Sequence, residues 1–161
     1  MNKSLSAMPH LPLRKGRNRK HKTIVLVGGC FDVLHLGHIT FLEKAKKKGD
    51  VLIVLLESDE NIKKFKGNNR PVNNQENRAK MLMSLKMVDQ VVKLPEMKTD
   101  DEYLEIIKKI RPTIIAVSEN DKNLRNKTNQ AKLVGAKIVK VTNLIPHQST
   151  SRIIEIITEN P

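Results

Sequence analysis

Two histidines stand three residues apart beside a pair of glycines, and these residue types together favour phosphate chemistry. They lie in the segment Val27-Gly28-Gly29-Cys30-Phe31-Asp32-Val33-Leu34-His35-Leu36-Gly37-His38. The apolar run before the segment predicts a buried strand, and the spacing of apolar residues after it predicts a helix. Glycines let the backbone approach a ligand closely, and free amides at a helix N-terminus attract anions. We therefore predict a phosphate-rich ligand at this strand-to-helix turn.

Other glycine and histidine motifs fit the chain less well. The segment lacks the Gly-Lys-Ser/Thr ending of a P-loop and the G-x-G-x-x-G pattern of dinucleotide-binding folds. A zinc site remains an alternative for His35 and His38, but zinc proteases place their histidines four residues apart with a glutamate between them. The chain also has a single cysteine, so it cannot build a multi-cysteine zinc site.

Strand and helix patterns alternate along the chain. Strands are predicted near 23–27, 51–56, 88–94, 113–117 and 136–141, and helices near 39–45, 75–87, 100–110, 122–134 and after Ser149. Residues 57–73 are predicted to form a loop. This alternation predicts an α/β fold, a doubly wound five-stranded parallel sheet in a single domain. Ligands of such sheets bind at the carboxyl ends of the strands.

Charge is distributed unevenly along the 161 residues. The net charge is +13, and residues 1–22 contain seven lysines and arginines but no acidic residue. We interpret 1–22 as a basic, flexible arm and 23–161 as the domain. An alternative function is a nucleic-acid-binding module that uses this arm, although one tyrosine and three phenylalanines offer few surfaces for stacking bases. No apolar run approaches the roughly 20 residues of a membrane helix, so we expect a cytoplasmic protein.

The histidine segment resembles the signature of a known enzyme superfamily. His35-Leu36-Gly37-His38, preceded by Gly29-Cys30-Phe31-Asp32, is similar to the motif of the His-x-Gly-His nucleotidyltransferases, the cytidylyltransferase-like superfamily. The resemblance extends over about 23–157. It implies a Rossmann-like sheet of five parallel strands, usually in a homodimer. It also implies transfer of a nucleotidyl group from ATP or CTP to a phosphorylated acceptor, with release of pyrophosphate.

Further stretches narrow the choice within this superfamily. Lys66-Gly67, Arg70-Pro71-Val72-Asn73 and Glu76-Asn77-Arg78-Ala79 resemble the adenylyltransferase domain that activates heptose 1-phosphate. The resemblance therefore implies transfer of AMP from ATP to a sugar 1-phosphate. FAD synthase (FMN adenylyltransferase) and glycerol-3-phosphate cytidylyltransferase are the alternatives. Glycerol-3-phosphate cytidylyltransferases typically have an arginine at the position where this chain has Leu144. Residues 118–121 differ from the glycine-containing turn that relatives generally have at this position. The identity of the nucleotide, ATP or CTP, therefore stays open.

The resemblance assigns roles to individual residues. His35, His38 and Lys66 are expected to be catalytic, because charge builds on the α-phosphoryl group and the departing pyrophosphate. The expected nucleotide-binding residues are Gly29, Cys30, Phe31, Asp32, Gly37, His38, Asp121, Ser149 and Thr150. Those expected to bind the acceptor are Lys64, Arg70 and Arg78. Asp32 is also the carboxylate expected nearest to Mg²⁺ on the triphosphate. Structural interpretations remain open for Arg78 as a surface helix residue and for Ser149 and Thr150 as helix caps.

Overall fold

The computed structural model of the chain describes residues 22–142 and 149–159. These residues contain five parallel strands that form one sheet in the order β3-β2-β1-β4-β5. The strands are β1 Ile24–Gly29, β2 Val51–Leu56, β3 Gln90–Lys93, β4 Ile114–Ser118 and β5 Lys137–Thr142. The predicted doubly wound five-stranded parallel sheet is confirmed. The predicted basic arm, apart from Lys22, and the Leu144 departure lie outside the described residues.

Six helices connect or flank the strands in the described part of the chain. They are α1 Leu36–Lys46, α2 Asp59–Lys66, α3 Gln75–Met83, α4 Asp100–Ile110, α5 Leu124–Val134 and α6 Thr150–Glu159. None of these helices is both long enough and apolar enough to cross a lipid bilayer.

Apolar side chains of β1 and β2 point alternately to the two faces of the sheet, and each face has its own core. Val25 and Val27 pack with residues of α1 and α3, whereas Leu26 packs with residues of α4 and α5. Strands covered on both faces are continuously apolar, which explains why β2 reads Val-Leu-Ile-Val-Leu-Leu. The strand order reverses on either side of the central β1. This arrangement opens a crevice at the carboxyl end of β1, where such sheets bind ligands.

One helix lies where the sequence predicts a loop. Helix α2 forms within residues 57–73 because Ser58 caps it, its side chain accepting from the Asn61 amide at 3.1 Å. Acidic residues in its first turn and lysines in its last turn complement the helix dipole. Ile62 is its only buried apolar residue. The helix contains only two apolar residues, Ile62 and Phe65, and this polar composition is typical of a loop.

Two other element boundaries differ from the prediction. Helix α3 ends at Met83 rather than near residue 87, because the chain continues in turns after Ser84. The Ser84 hydroxyl donates to the Lys80 carbonyl at 2.9 Å, a local bond that competes with continued helix. Met83, the last residue of the helix, is 51% exposed. Strand β3 is shorter than the predicted 88–94.

Candidate active site

The two histidines occupy the N-terminus of α1 at the carboxyl end of β1. His35 is the cap residue, and its Nδ1 accepts a hydrogen bond from the Gly37 amide at 3.1 Å. His38 lies one turn further on, and its ring stacks on that of His35 with the centroids 3.9 Å apart. Both rings line a cavity of about 340 Å³, here called the smaller cavity. The structure therefore brings the two imidazoles together in one cleft at the edge of the sheet.

Both imidazoles are held in the uncharged form. Burial, with a smaller contribution from His35, lowers the pKa of His38 to about 4. Burial also lowers the pKa of His35. Because Nδ1 of His35 accepts a hydrogen bond, the proton of the neutral ring lies on Nε2, which can donate. Nδ1 of His38 is buried and has no hydrogen-bond partner among the described residues, so a ligand or water is needed to pair it.

Glycine at position 29 avoids a tight contact in the turn before the histidines. A Cβ on Gly29 would lie 3.0 Å from Cε2 of Phe31, closer than ordinary packing allows. Phe31 and Val33 both adopt left-handed backbone conformations, with φ of 46° and 47°, which cost energy for side chains of this size. This turn buries the Phe31 ring 5.2 Å from the ring of His38. The strained turn thus sets the position of the second histidine.

Asp32 anchors a neighbouring loop. Its carboxylate is 1% exposed and accepts from Arg70 Nε at 2.7 Å, from the Val72 amide at 2.9 Å and from the Asn73 amide at 3.1 Å. Burial raises the pKa of Asp32, but these three partners outweigh it and hold its pKa below the usual range. Because both oxygens are engaged in a buried site, the expectation that Asp32 binds Mg²⁺ does not fit this geometry.

Clusters of potential metal ligands are absent from the described residues. These residues contain no group of three or more histidine, cysteine, aspartate or glutamate side chains arranged to hold a metal.

A second helix N-terminus faces the smaller cavity from the opposite side. Ser149, Thr150 and Ser151 at the start of α6 line it. The Ser149 hydroxyl oxygen accepts from the Arg152 amide at 3.2 Å, and the Thr150 hydroxyl donates to the Asp32 carbonyl at 2.7 Å. Ser149 and Thr150 therefore make cap and tether contacts while α6 directs its amide end into the cleft. Two helix dipoles converge there, and both favour an anionic ligand.

Most of the residues predicted from the sequence share this cavity. Arg70 reaches it with its Nε held by Asp32, and Lys66 lines it from the C-terminus of α2. Asp121 lines the far wall, where its carboxylate pairs with Lys127 at 2.6 Å. The predicted residues that line the smaller cavity are Gly29, Cys30, Phe31, Asp32, His35, Gly37, His38, Lys66, Arg70, Asp121, Ser149 and Thr150.

Two predicted acceptor-binding residues lie elsewhere. Lys64 faces a different cavity and pairs with Glu96. Arg78 is fully buried and does not line either cavity, contrary to the expectation that it binds the acceptor phosphate or lies on the surface. Its guanidinium donates to the carbonyls of Cys30, Glu57 and Asn73 and to the Asp59 carboxylate in four hydrogen bonds of 2.6 to 2.9 Å. Arg78 therefore holds the loops around the site in place.

A second cavity, of about 740 Å³, adjoins the first and is here called the larger cavity. The two share Gly28, Gly29 and Cys30 as a common wall. The larger cavity contains a polar cluster that the sequence prediction missed, made of Glu57, Asn61 and Tyr103. Glu57 directly follows β2, so its place at the carboxyl end of a strand is the signal that could have identified it. Asn61 lies in α2, which the sequence predicts as a loop. No sequence pattern around Tyr103 indicates that this residue belongs to a site.

Comparison with known proteins identifies similar chains. Residues 26–156 match the profile of the family described as cytidylyltransferase-like. The chain is 42% identical over 140 residues to the bifunctional protein HldE of Campylobacter fetus subsp. fetus, an alignment that covers 85% of this chain and 28% of that protein. It is 44% identical over 144 residues to HldE of Campylobacter jejuni subsp. doylei, covering 88% and 29%. The chain thus spans less than a third of the length of these relatives.

A solved structure shows the same architecture. The crystal structure of the lipopolysaccharide core biosynthesis protein from Thermoplasma volcanium superposes with a TM-score of 0.61 and 26% sequence identity. The match covers 77% of this chain and 97% of that one. Similarity of this extent supports a common fold around the cleft.

Proposed function

The chain belongs to the cytidylyltransferase-like family of nucleotidyltransferases, and from this premise we propose that it transfers AMP from ATP to a sugar 1-phosphate such as heptose 1-phosphate. One observation carries the proposal: the stacked, uncharged His35 and His38 line a cleft together with Lys66 and Arg70. The choice of ATP and of a sugar 1-phosphate is supported by the sequence resemblance to heptose 1-phosphate adenylyltransferases. The identity to the HldE proteins agrees with that resemblance.

The reaction needs charge stabilisation more than proton transfer. An oxygen of the acceptor phosphate, already anionic, attacks the α-phosphorus of ATP, and the bond from that phosphorus to the pyrophosphate oxygen breaks. His35 and His38 donate hydrogen bonds to the phosphate oxygens, where donors held in place lower the barrier because they need no reorganisation. Lys66 and the Arg70 guanidinium offset the negative charge of two phosphorylated substrates. The N-terminus of α6, with Ser149 and Thr150, binds the departing pyrophosphate.

The two cavities accommodate two substrates. Phosphate-binding groups are concentrated in the smaller cavity, so the triphosphate lies there. The acceptor occupies the larger cavity and presents its phosphate across the shared wall, Gly28 to Cys30. Mg²⁺ on the triphosphate stays a prediction, and we assign it no protein ligand because Asp32 is already engaged.

A panel of substrates tests the proposal. Pyrophosphate release is measured with ATP or CTP against heptose 1-phosphate, mannose 1-phosphate, FMN and glycerol 3-phosphate. We expect ATP with a sugar 1-phosphate to give the highest kcat/KM. Turnover only with FMN, or only with CTP and glycerol 3-phosphate, would replace the proposed substrates. Failure to release pyrophosphate from any pair, by a chain that is folded, would overturn the activity.

A homodimer also stays a prediction. Ile156 and Ile157 of α6 are largely exposed, and contact with a second copy of the chain would bury them. Light scattering during gel filtration distinguishes one copy from two, and Ile157→Glu is expected to shift a dimer toward the monomer. An unchanged mass for the variant would place the interface elsewhere.

A further inference from the structure

One residue of the larger cavity, Asn61, has a buried side-chain oxygen with no hydrogen-bond donor among the described residues. Asn61 lines the cavity although its residue is fully buried. Its Nδ2 donates to Glu57 Oε2 at 3.3 Å and lies 3.1 Å from the Tyr103 hydroxyl. Its Oδ1, in contrast, has no hydrogen-bond partner among the described residues. Buried polar atoms are nearly always paired, and Asn61 lines the larger cavity, so a molecule bound there can supply the missing donor.

The groups around Asn61 are held in a fixed arrangement. The Tyr103 hydroxyl lies 3.0 Å from both carboxylate oxygens of Glu57 and donates to them. Each carboxylate oxygen can accept about two hydrogen bonds, so Oε1, which accepts only from Tyr103 among the described residues, keeps a free lone pair, whereas Oε2 also accepts from Asn61. Tyr103 and Asn61 thus orient the Glu57 carboxylate without using its full accepting capacity. The cavity therefore presents two kinds of acceptor side by side, an amide oxygen and a carboxylate.

These acceptors select the chemistry of the ligand. A carboxylate repels a phosphate, so the phosphate of an acceptor must lie away from the Glu57 carboxylate. Hydroxyl groups are the donors that amide and carboxylate oxygens both pair with well. The apolar residues of the cavity wall, which include Leu94, Met97 and Ile107, suit the carbon skeleton of a sugar ring.

We propose that Asn61 and Glu57 bind hydroxyl groups of the acceptor sugar and that Tyr103 is the positioning residue that orients Glu57. This inference rests on the proposed function for the identity of the acceptor. It adds that specificity for a polyhydroxylated acceptor is determined by these side chains of the larger cavity. A site that hydrogen-bonds substrate hydroxyls discriminates strongly against analogues that lack them, because its own buried groups are then left unpaired.

Steady-state kinetics test the two recognition residues. Asn61→Leu removes the acceptor at nearly constant volume, and Glu57→Gln removes the charge at constant shape. Each variant is expected to raise KM for mannose 1-phosphate or heptose 1-phosphate at least tenfold, with kcat and KM for ATP within about threefold of the parent. Tyr103→Phe is expected to produce a smaller rise in the same KM. Asn77→Leu, an exposed asparagine that lines neither cavity, is the matched control.

A series of monodeoxy mannose 1-phosphates links the effect to hydroxyl groups. For the analogue that lacks the recognised hydroxyl, parent and Asn61→Leu should have the same KM. An equal loss for every acceptor, including methyl phosphate, would show a structural effect and overturn the proposal. Unchanged KM values in folded variants would do the same. Should Asn61→Leu fail to fold, Glu57→Gln carries the test.

A binding measurement separates this proposal from the proposed function. Tyr103 is the only tyrosine and the chain has no tryptophan, so intrinsic fluorescence reports on the cluster alone. Mannose 1-phosphate, added without nucleotide, is expected to change the emission of the parent in a saturable way and that of Glu57→Gln only at tenfold higher concentration. Pyrophosphate, directed at the smaller cavity, should leave it unchanged. Saturable binding without pyrophosphate release would refute the activity but keep the sugar site, whereas absence of binding would refute the site.

Discussion

The imidazole rings of His35 and His38 stack with their centroids 3.9 Å apart and their planes inclined by 25°. Two imidazolium cations at this separation would repel each other, and burial already disfavours the charged form. The pKa of His38, lowered to about 4, agrees with an uncharged pair near neutral pH. In the proposed reaction the rings therefore donate hydrogen bonds to phosphate, and positive charge in the cleft comes from Lys66 and Arg70.

Removing the second histidine should abolish most of the activity. His38→Ala is expected to lower kcat by a factor on the order of 100 to 1,000, as found for other donors held in place toward a transition state. Stopped or continuous assays of pyrophosphate release measure the change. Thr40→Ala, on the same helix but outside both cavities, is the control and should keep its rate. Near-native turnover in a folded His38→Ala protein would contradict the catalytic assignment.

The low pKa of His38 predicts how stability depends on pH. The ordinary pKa is 6.5 and the folded value is about 4, so between these values the unfolded chain binds a proton that the folded chain does not. The free energy of unfolding should consequently fall as the pH is lowered from 6.5 to 4, by up to about 3 kcal/mol from this residue. Urea unfolding at pH 7.5 and pH 4.5 measures the loss. His38→Gln should lose less stability than the parent over this interval, and an equal loss would refute the assignment.

The positions of two lysines on α2 predict different effects on activity. Lys66 lines the smaller cavity, whereas Lys63 on the same helix is exposed and lines neither cavity. We predict that Lys66→Ala lowers kcat/KM at least tenfold and that Lys63→Ala leaves it within twofold. Because both variants remove one charge, a general electrostatic effect would reduce the two rates equally. Raising the salt concentration should not make the kcat/KM values of the two variants equal.

Asp32 should act on stability rather than on metal affinity. Asp32→Asn leaves the partly buried Arg70 without its counter-charge, and removing one member of a buried pair costs about 3 to 5 kcal/mol. Glu76→Gln breaks an exposed pair with Lys93 and should leave stability unchanged. Urea unfolding compares the two variants. The Mg²⁺ concentration that gives half-maximal rate should be the same for Asp32→Asn and the parent, and a large increase would return Asp32 to the metal.

Arg78 should behave as a structural residue. Arg78→Met fills a similar volume but leaves three carbonyls and the Asp59 carboxylate without their donor. We expect a loss of about 3 to 5 kcal/mol in the free energy of unfolding. Arg78→Lys should recover only part of it, because one ammonium group cannot reproduce the fork of the guanidinium. If stability were unchanged and KM for the sugar 1-phosphate alone rose, Arg78 would instead contact the acceptor.

The sheet could be predicted from the sequence because its signals are local. Continuous apolar runs such as β2 and the alternation of strands with helices follow from burial on both faces. Helix α2 was not predictable in this way, because it contains only two apolar residues, Ile62 and Phe65, and Ser58 capping contributes to its stability. Its absence from the prediction also hid Asn61 and the polar cluster that Asn61 forms with Glu57 and Tyr103.

Site residues divide according to whether their role depends on a motif or on distant contacts. The motif places His35 and His38 at a helix N-terminus, and the cavity around them agrees with that position. The partners of Asp32 and Arg78 lie on segments tens of residues away, and sequence spacing carries no information about such contacts. From the sequence, both side chains were predicted to bind ligands. In the fold, both hold loops in place.

The wall shared by the two cavities, Gly28 to Cys30, has a consequence for inhibition. In the proposed reaction the product joins the nucleoside monophosphate to the sugar phosphate, so a single molecule crosses this wall and engages both cavities at once. Such a molecule keeps contacts from both substrates while losing rotational and translational freedom only once. The nucleotide sugar should accordingly compete with ATP and with the sugar phosphate alike, and accumulation of product should slow its own synthesis.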